Sequence, residues 1–565
     1  MPLGTTPPQT ASYVTDLLSA VDRDPWGSTS PSVYETARVQ TWAPWLPGRH
    51  TRWTWLFAQQ HPDGLWGEGT PGHRVLPTLS TVAALLHHLA EDGDEARTLQ
   101  GRHRAEAAAR GLHALTTLPP HTELPDTAAI ELLVPGLLGE INQLLDTLHP
   151  SDHPDLAPVL RGPRLTTLCG LPAATTAELT RWLMRRPSLP AKLHHCFEGI
   201  AAACPPALIP TAPTTLLGGS PAAAAAWLAT APPTPAHHTQ RTLLEALAAR
   251  YQGLLPEAAP ITAFERLWVL TALERGNLLS GHEALARSWV TAILDPHGVA
   301  GVPGLEPDAD DTALALHLAA RLGLPHDHTV LDRFRTPTHY ACYLGEDTGS
   351  TTANAHVLLA LGSCLHHRPT EAPRLVPLID TLTRWLLDHQ QPDGSWTDKW
   401  HASPYYATAR VTAALHSTAT SRPAAAAALR SAAQWSIDTQ RPDGSWGLHQ
   451  PTAEESAYAL QILMRSPGTT TPAPLTHLTR QPDPSHPQHP ALWHDKTLYA
   501  PTAIIHAELL AAHHALTGRL DAVEQATADQ TASTPPRAET VRRPFGREAA
   551  AVPLPAPGNG RRVTR

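Results

Sequence analysis

Apolar residues in this chain recur at helical spacing, and strictly alternating runs rich in β-branched residues are scarce, so the pattern predicts an all-α protein. Residues 11–22, ASYVTDLLSAVD, read as a short amphipathic helix, followed by the loop PWGSTSPSVYETARV. From about 75 to 250, Ala/Leu-rich helical windows alternate with proline clusters, and a strong helical stripe opens at PITAFERLWVLTALERGNL, 260–278. The 58 prolines fall mostly between these windows, where they punctuate helices. Beyond about residue 517 the periodicity stops, and the Pro-, Gly- and Arg-rich stretch 518–565 is expected to be disordered.

One unit recurs along this pattern. QQHPDGLWGE (59–68), QQPDGSWTDKW (390–400) and QRPDGSWGLHQ (440–450) each place a Pro-Asp-Gly turn and a Trp after the end of a helical window. Gly supplies the positive φ of a tight turn. Three copies on separated helices predict a repeated helical-hairpin architecture.

Composition narrows the class. A chain of 565 residues exceeds one ordinary core, so two domains and a tail are expected. The net charge of −9 argues against a nucleic-acid binder. Five cysteines without CxxC spacing predict reduced thiols, neither a disulfide frame nor a zinc site. No apolar run reaches membrane-span length and no signal-peptide pattern opens the chain, so a soluble, cytoplasmic protein is expected.

The candidate chemistry sits in EPDADDTALAL, 306–316, where Asp308, Asp310 and Asp311 crowd the start of an apolar helical run. Acidic residues also suit a solvated helix N-terminus. In a dry cluster, however, burial and like charge raise carboxyl pKa values, and one member can stay protonated as a catalytic acid. The 34 histidines form no HExxH, and the paired ones read as solvated helix faces, with His195 beside Glu198 set apart.

Read in order from about residue 25 to 515, the chain resembles bacterial class II diterpene cyclases of the copalyl diphosphate synthase type. SPSVYETARV is similar to that family's SAYDTAWVA, LHHCFEGI to LHSLEG, GGSPAAAAAWL to SPAATA and PITAFERLWVL to PVDLFERLWVV. DADDTALAL is similar to the DxDD acid motif, DKWHASPYYATARV to DKW…SPYYATA, and ALWHDKTLYAP to LWIGKxLY. The resemblance implies two α/α barrels, β and γ, with residues 1–39 and 255–517 forming the β domain and 40–254 an inserted γ domain.

It also implies a protonation-initiated cyclisation of an isoprenoid diphosphate, geranylgeranyl or the shorter farnesyl. Asp310 would be the acid, Asp308 and Asp311 its supports, and Asn354 the group hydrogen-bonded to it, with Ser350 a further candidate. Aromatic faces stabilise cations without attacking them; Trp268, Trp289, Trp396, Trp400, Tyr405 and Tyr406 are the candidates, with Trp400 and Tyr405 foremost, and Glu198 is placed at the cavity. Lys192, Lys399 and Lys496, the only lysines, are the candidate diphosphate ligands. Mg2+ is expected from the family, with Glu123 and Asp126 as candidate ligands; EDGDE at 91–95 reads as a solvated loop. The string from Asp310 reads DDTAL and no class I DDxxD is present, so the diphosphate should survive and the product should pass to a separate class I terpene synthase. Plant ent-type relatives carry a His near LHSLEG that helps remove the last proton, but RRPSLPAK offers Arg186 and Pro187, so no terminating base is named. A squalene-hopene-type cyclase would need more aromatics than 5% and a membrane-docking helix. A prenyltransferase-like subunit would need a zinc ligand set, and a non-catalytic binding protein would be favoured by a degenerate acid motif.

Overall fold

The computed structural model describes residues 8–91, 98–173, 181–202, 204–209, 215–346, 348–465 and 489–532. The chain divides into a compact unit, Met1–Leu516, and a second unit, Thr517–Arg565. The helices are α1 (Pro8–Arg23), α2 (Val33–Trp42), α3 (Arg49–Ala58), α4 (Pro71–Glu91), α5 (Leu99–Thr116), α6 (Ile130–Thr147), α7 (Ala157–Arg161), α8 (Pro221–Thr230) and α9 (Pro235–Arg250). They continue with α10 (Thr262–Arg275), α11 (Glu283–Ile293), α12 (Ala309–Leu322), α13 (Thr351–His367), α14 (Ala372–Asp388), α15 (Pro404–Ala419), α16 (Pro423–Asp438), α17 (Ala453–Met464) and α18 (Thr502–Ala532). Two short antiparallel pairs are the only strands among the described residues, β1 (Thr167–Leu168) with β2 (Leu171–Pro172) and β3 (Trp493–His494) with β4 (Leu498–Tyr499).

The first unit contains two hydrophobic cores. One joins α1 to the segment from α10 onward; the other runs from Tyr34 to Ala259. In the first core α10, α12, α13, α15 and α17 pack in succession, with α11, α14 and α16 outside them. The sequence sorts the layers. Every residue of α12 except Arg321 is buried, whereas α14 buries only Leu375, Ile379, Leu382, Thr383 and Leu386, one stripe at helical spacing. In the second core, α2 packs on α4 and α8 with Tyr34–Gln40 buried, so the limit expected at residue 39 cuts through a helix. The chain crosses between the cores near Pro31 and Pro256, which bridge each other.

The repeat is a repeated anchor. Trp66, Trp396 and Trp446 are fully buried, and each donates its indole N–H at 2.7 Å to a carbonyl ten residues back: Leu56, Leu386 and Ser436. Gln60, Gln390 and Gln440 donate to the carbonyls of Gly64, Gly394 and Gly444, all three glycines having positive φ. Trp396, expected among the cavity aromatics, is one of these anchors.

Helix α18 runs to Ala532, beyond the stop expected near 517, because the alanines, Glu524 and Gln525 of the segment favour helix. The rest of the stretch expected to be disordered, 533–565, lies outside the described residues, as does most of EDGDE.

Candidate active site

Helix α12 begins in a collar of backbone. Gly298 turns the chain with φ +102, Val299 bridges Asp308, the Val299 N–H reaches Thr312 Oγ1 at 2.8 Å, and the Ala309 N–H reaches the Cys342 carbonyl at 2.8 Å. Asp308 is the N-cap, its Oδ1 accepting the N–H groups of Asp310 (2.9 Å) and Asp311 (2.8 Å). All three carboxyls are buried. Burial pushes Asp308 up to about 7, against the hydrogen bonding it receives from Asp311. Burial also pushes Asp311 well above its ordinary value, and the Asp308 charge pushes it further. The pair therefore retains a proton at neutral pH.

The Asp310 Oδ1 lies 2.5 Å from Nδ1 of the buried His356. An Nδ1–H donated to Oδ1 leaves Oδ2 as the place for a transferable proton. Asn354 does not hold the acid. Its Oδ1 accepts Tyr340 N–H at 2.8 Å, and its Nδ2 donates to the carbonyls of Tyr340 (2.9 Å) and Ser350 (2.8 Å), so both donors are spent on backbone. Asn354 secures the 340–342 turn, whose Cys342 carbonyl holds Ala309; it acts on the acid only through that turn. Ser350 caps α13 and donates to Asp398 at 2.8 Å. Sequence reasoning missed His356. Its signal was one ionisable residue inside the apolar run TTANAHVLLALG.

Beside this acid stands an aromatic wall. The Trp268 ring meets His356 edge-on at 5.6 Å and donates Nε1–H to the Tyr406 hydroxyl at 2.9 Å. Phe264 packs 4.3 Å from Trp268, and Trp493 lies 4.7 Å from Tyr406 and 5.8 Å from Phe264. Of the candidate aromatics, Trp268 and Tyr406 thus stand beside the acid, together with Phe264 and Trp493, which were not anticipated. Tyr405, one helical step from Tyr406, points away and packs 4.6 Å from Trp435. Trp289 anchors α1, donating to Asp22 at 2.8 Å beneath Arg266, so it is no part of the wall. Trp400 stands edge-on to Tyr343 at 6.2 Å, and its buried Nε1–H has no partner among the described residues.

A carboxyl cluster that keeps a proton, a histidine bonded to its central member and a wall of aromatic faces form a site for protonating an alkene and guiding the cation. The comparisons with known proteins agree. The squalene-hopene cyclase C-terminal domain family matches residues 345–477. The labda-7,13-dienyl diphosphate synthase of Streptomyces clavuligerus is 54% identical over 528 residues, covering 92% of this chain and 96% of that protein. The copalyl diphosphate synthase of Streptomyces cyslabdanicus is 46% identical over 521 residues, 90% of this chain and 97% of that one. Among solved structures, ent-copalyl diphosphate synthase from Streptomyces platensis is similar with a TM-score of 0.81 and 39% identity, covering 90% of this chain and 99% of that one. This chain belongs to the bacterial class II diterpene cyclases.

The far end of the cyclase departs from expectation. Lys496 is fully buried, and its ammonium donates to Glu35 (2.7 Å), Glu198 (2.8 Å) and Ser220 (2.7 Å). Three donors meet three acceptors, so nothing remains for a diphosphate. Glu198 also accepts the Tyr34 hydroxyl at 2.8 Å, which places it in this buried cluster. Burial pushes Glu35 up to about 7, against the pull of Lys496. Lys399 is paired with Glu346 at 2.9 Å and lies 5.0 Å above the Trp400 ring. Lys192 is exposed on the turn Ala191–His194 and pairs with no acid among the described residues.

Glu123 and Asp126 are exposed on the approach to α6. No group of three or more metal-ligating side chains occurs among the described residues. Two carboxylates without a third suit Mg2+ that arrives on substrate phosphates, the common mode for this ion. The Ala128 N–H donates to the Asp495 carbonyl at 2.9 Å and His494 Nδ1 lies 2.7 Å from the Lys399 carbonyl, so the segment after Asp126 and the backbone of Lys399 both adjoin the β3–β4 turn. Among the described residues, no helix is long and apolar enough to cross a membrane.

Proposed function

We propose that the cyclase converts geranylgeranyl diphosphate to a bicyclic labdane-type diphosphate, with its diphosphate retained. The observation that carries this reading is the Asp310–His356 contact of 2.5 Å set against the Trp268 and Tyr406 rings. Two labdane-forming relatives support the substrate and ring class.

Asp310 delivers its proton to the distal alkene, and His356 Nδ1–H steadies the carboxylate left behind. Asp308 and Asp311 retain their shared proton, so the cluster does not accumulate a charge on each of its three carboxyls. Trp268, Tyr406, Phe264 and Trp493 offer ring faces to the migrating cation. Lys399 and Lys192 supply positive charge for the diphosphate, with Glu123 and Asp126 to hold Mg2+. That ion would neutralise diphosphate charge. With no class I motif in the sequence, the product passes to a separate class I synthase that ionises it.

The test is to incubate purified protein with geranylgeranyl or farnesyl diphosphate and Mg2+, remove phosphate and identify the alcohols. Bicyclic diterpene alcohols that vanish with Asp310→Asn are expected. Faster turnover of farnesyl diphosphate, or full activity in Asp310→Ala, would overturn the reading.

A further inference from the structure

The turn between β3 and β4, in LWHDKTLY, holds a carboxylate that the mechanism above does not use. Asp495 stands where the family pattern LWIGKxLY has Gly. Its neighbours Trp493, His494, Lys496 and Thr497 are buried, yet the Asp495 side chain is 20% exposed, so the turn opens onto space at this residue. The Asp495 Oδ1 lies 2.9 Å from Nε2 of the buried His195, whose Nδ1 lies 2.7 Å from the Gly218 carbonyl.

A carbonyl can only accept, so His195 Nδ1 carries a proton, and the carboxylate at Nε2 favours a second. His195 is then an imidazolium with no lone pair to offer, and the base of the pair is Asp495. Burial opposes its charge, but His195 and Lys496 outweigh burial and hold Asp495 below the usual carboxylate range. The turn leaves directly from the aromatic wall: Trp493, two residues before Asp495, lies 4.7 Å from Tyr406, and the His494 N–H donates to the Trp400 carbonyl at 2.9 Å.

We propose that Asp495 is the general base that ends the cyclisation and fixes the position of the product double bond. This rests on the cyclisation reading given above. In the last step a C–H bond next to the cationic carbon breaks, its electron pair becomes the double bond, and the proton goes to the Asp495 carboxylate. Asp310 has lost one proton and Asp495 has gained one, so the isomerisation balances once both exchange with solvent.

The experiment compares wild type, Asp495→Asn, Asp495→Glu and Asp310→Asn on geranylgeranyl diphosphate with Mg2+, with thermal melts for each and product identification after dephosphorylation. In Asp495→Asn, Asp310-dependent consumption of substrate should persist, while the share of the wild-type alkene falls by about tenfold or more in favour of water-captured alcohols or double-bond isomers. Asp495→Glu should restore part of that share. A folded Asp495→Asn that forms the wild-type product in the wild-type proportion, even slowly, would overturn the role. If that variant does not fold, Asp495→Gly, which places the residue of the family pattern here and removes the carboxylate, decides, and an unchanged product ratio there would overturn it. If wild type itself makes no Asp310-dependent bicyclic product, it is the substrate reading that fails, and this role with it.

Discussion

His356 and Asn354 lie two positions apart on α13, and their hydrogen bonds give them separable roles. His356 touches the acid, so His356→Ala should lower kcat by about 10²–10³ with a near-native melt, as expected for loss of a group acting in proton transfer. Asn354→Ala removes three backbone hydrogen bonds in a buried turn and should cost about 2–3 kcal/mol of stability. Chemical denaturation and single-turnover rates on the same two proteins separate these outcomes. A second residue test concerns pH. Burial pushes Glu265 from 4.5 up to about 7, against the Ser28 N–H it accepts. The folded state thus binds this proton more tightly than the unfolded chain does. The resulting stability is complete below the unfolded pKa of about 4.5 and is lost as pH rises through about 7. Between about pH 6.5 and 8 the loss from this group is about 1 kcal/mol. Glu265→Gln keeps an acceptor for Ser28 and should flatten that part of the slope in urea titrations at the two pH values. At this scale the three aspartates were legible because the motif is contiguous. The partner of Asp310 was not, since it comes from another helix and only packing of α12 on α13 brings it in.

Elements carry the repeat. The Pro-Asp-Gly turns were readable because a tight turn needs Gly at positive φ and the following Trp must be buried. The structure adds the reason that the Trp is specific: its N–H closes on a carbonyl ten residues back in each copy. In Gly394→Ala a Cβ would stand 2.6 Å from the Ser431 carbonyl oxygen, at φ +99, so this backbone must shift. The substitution should cost about 1–3 kcal/mol. Trp396→Phe should cost a comparable amount by leaving the Leu386 carbonyl without its donor, while the product profile stays that of wild type. The faces of helix α15 were less legible. Tyr405 and Tyr406 are both apolar-aromatic in a DKWHASPYY context, and a step of about 100° per residue sends one to Trp435 and the other to Trp268 and Trp493. Sequence identifies two aromatics at that spot, but choosing between them requires the helix rotation that packing sets.

The two cores are joined by the same cluster that removes Lys496 from the diphosphate site. Glu35 comes from α2, Glu198 from a turn before α8 and Ser220 from the α8 N-cap, all within the second core, whereas Lys496 follows β3 on the first-core segment. Glu35 additionally accepts Ala222 N–H at 2.6 Å, so its charge faces the α8 N-terminus as well as the ammonium. A sequence-level reading could not separate Lys496 from Lys399, since both occur in motifs shared with the family. Only the tertiary arrangement shows that one ammonium is saturated. Two roles predict opposite phenotypes for Lys496→Met. A diphosphate ligand would raise KM and leave stability unchanged. A buried cation with two carboxylate partners, when removed, leaves uncompensated charge, and the expected cost is about 3–5 kcal/mol. The structure predicts the second: a large fall in the denaturation midpoint, with the folded fraction binding substrate as wild type does. Lys399→Met should show the reverse, because its ion pair with Glu346 is partly accessible and breaking it costs little stability. Midpoints and KM measured for the two variants side by side decide between these roles, and equal midpoints with a raised KM for Lys496→Met would return that residue to the diphosphate site.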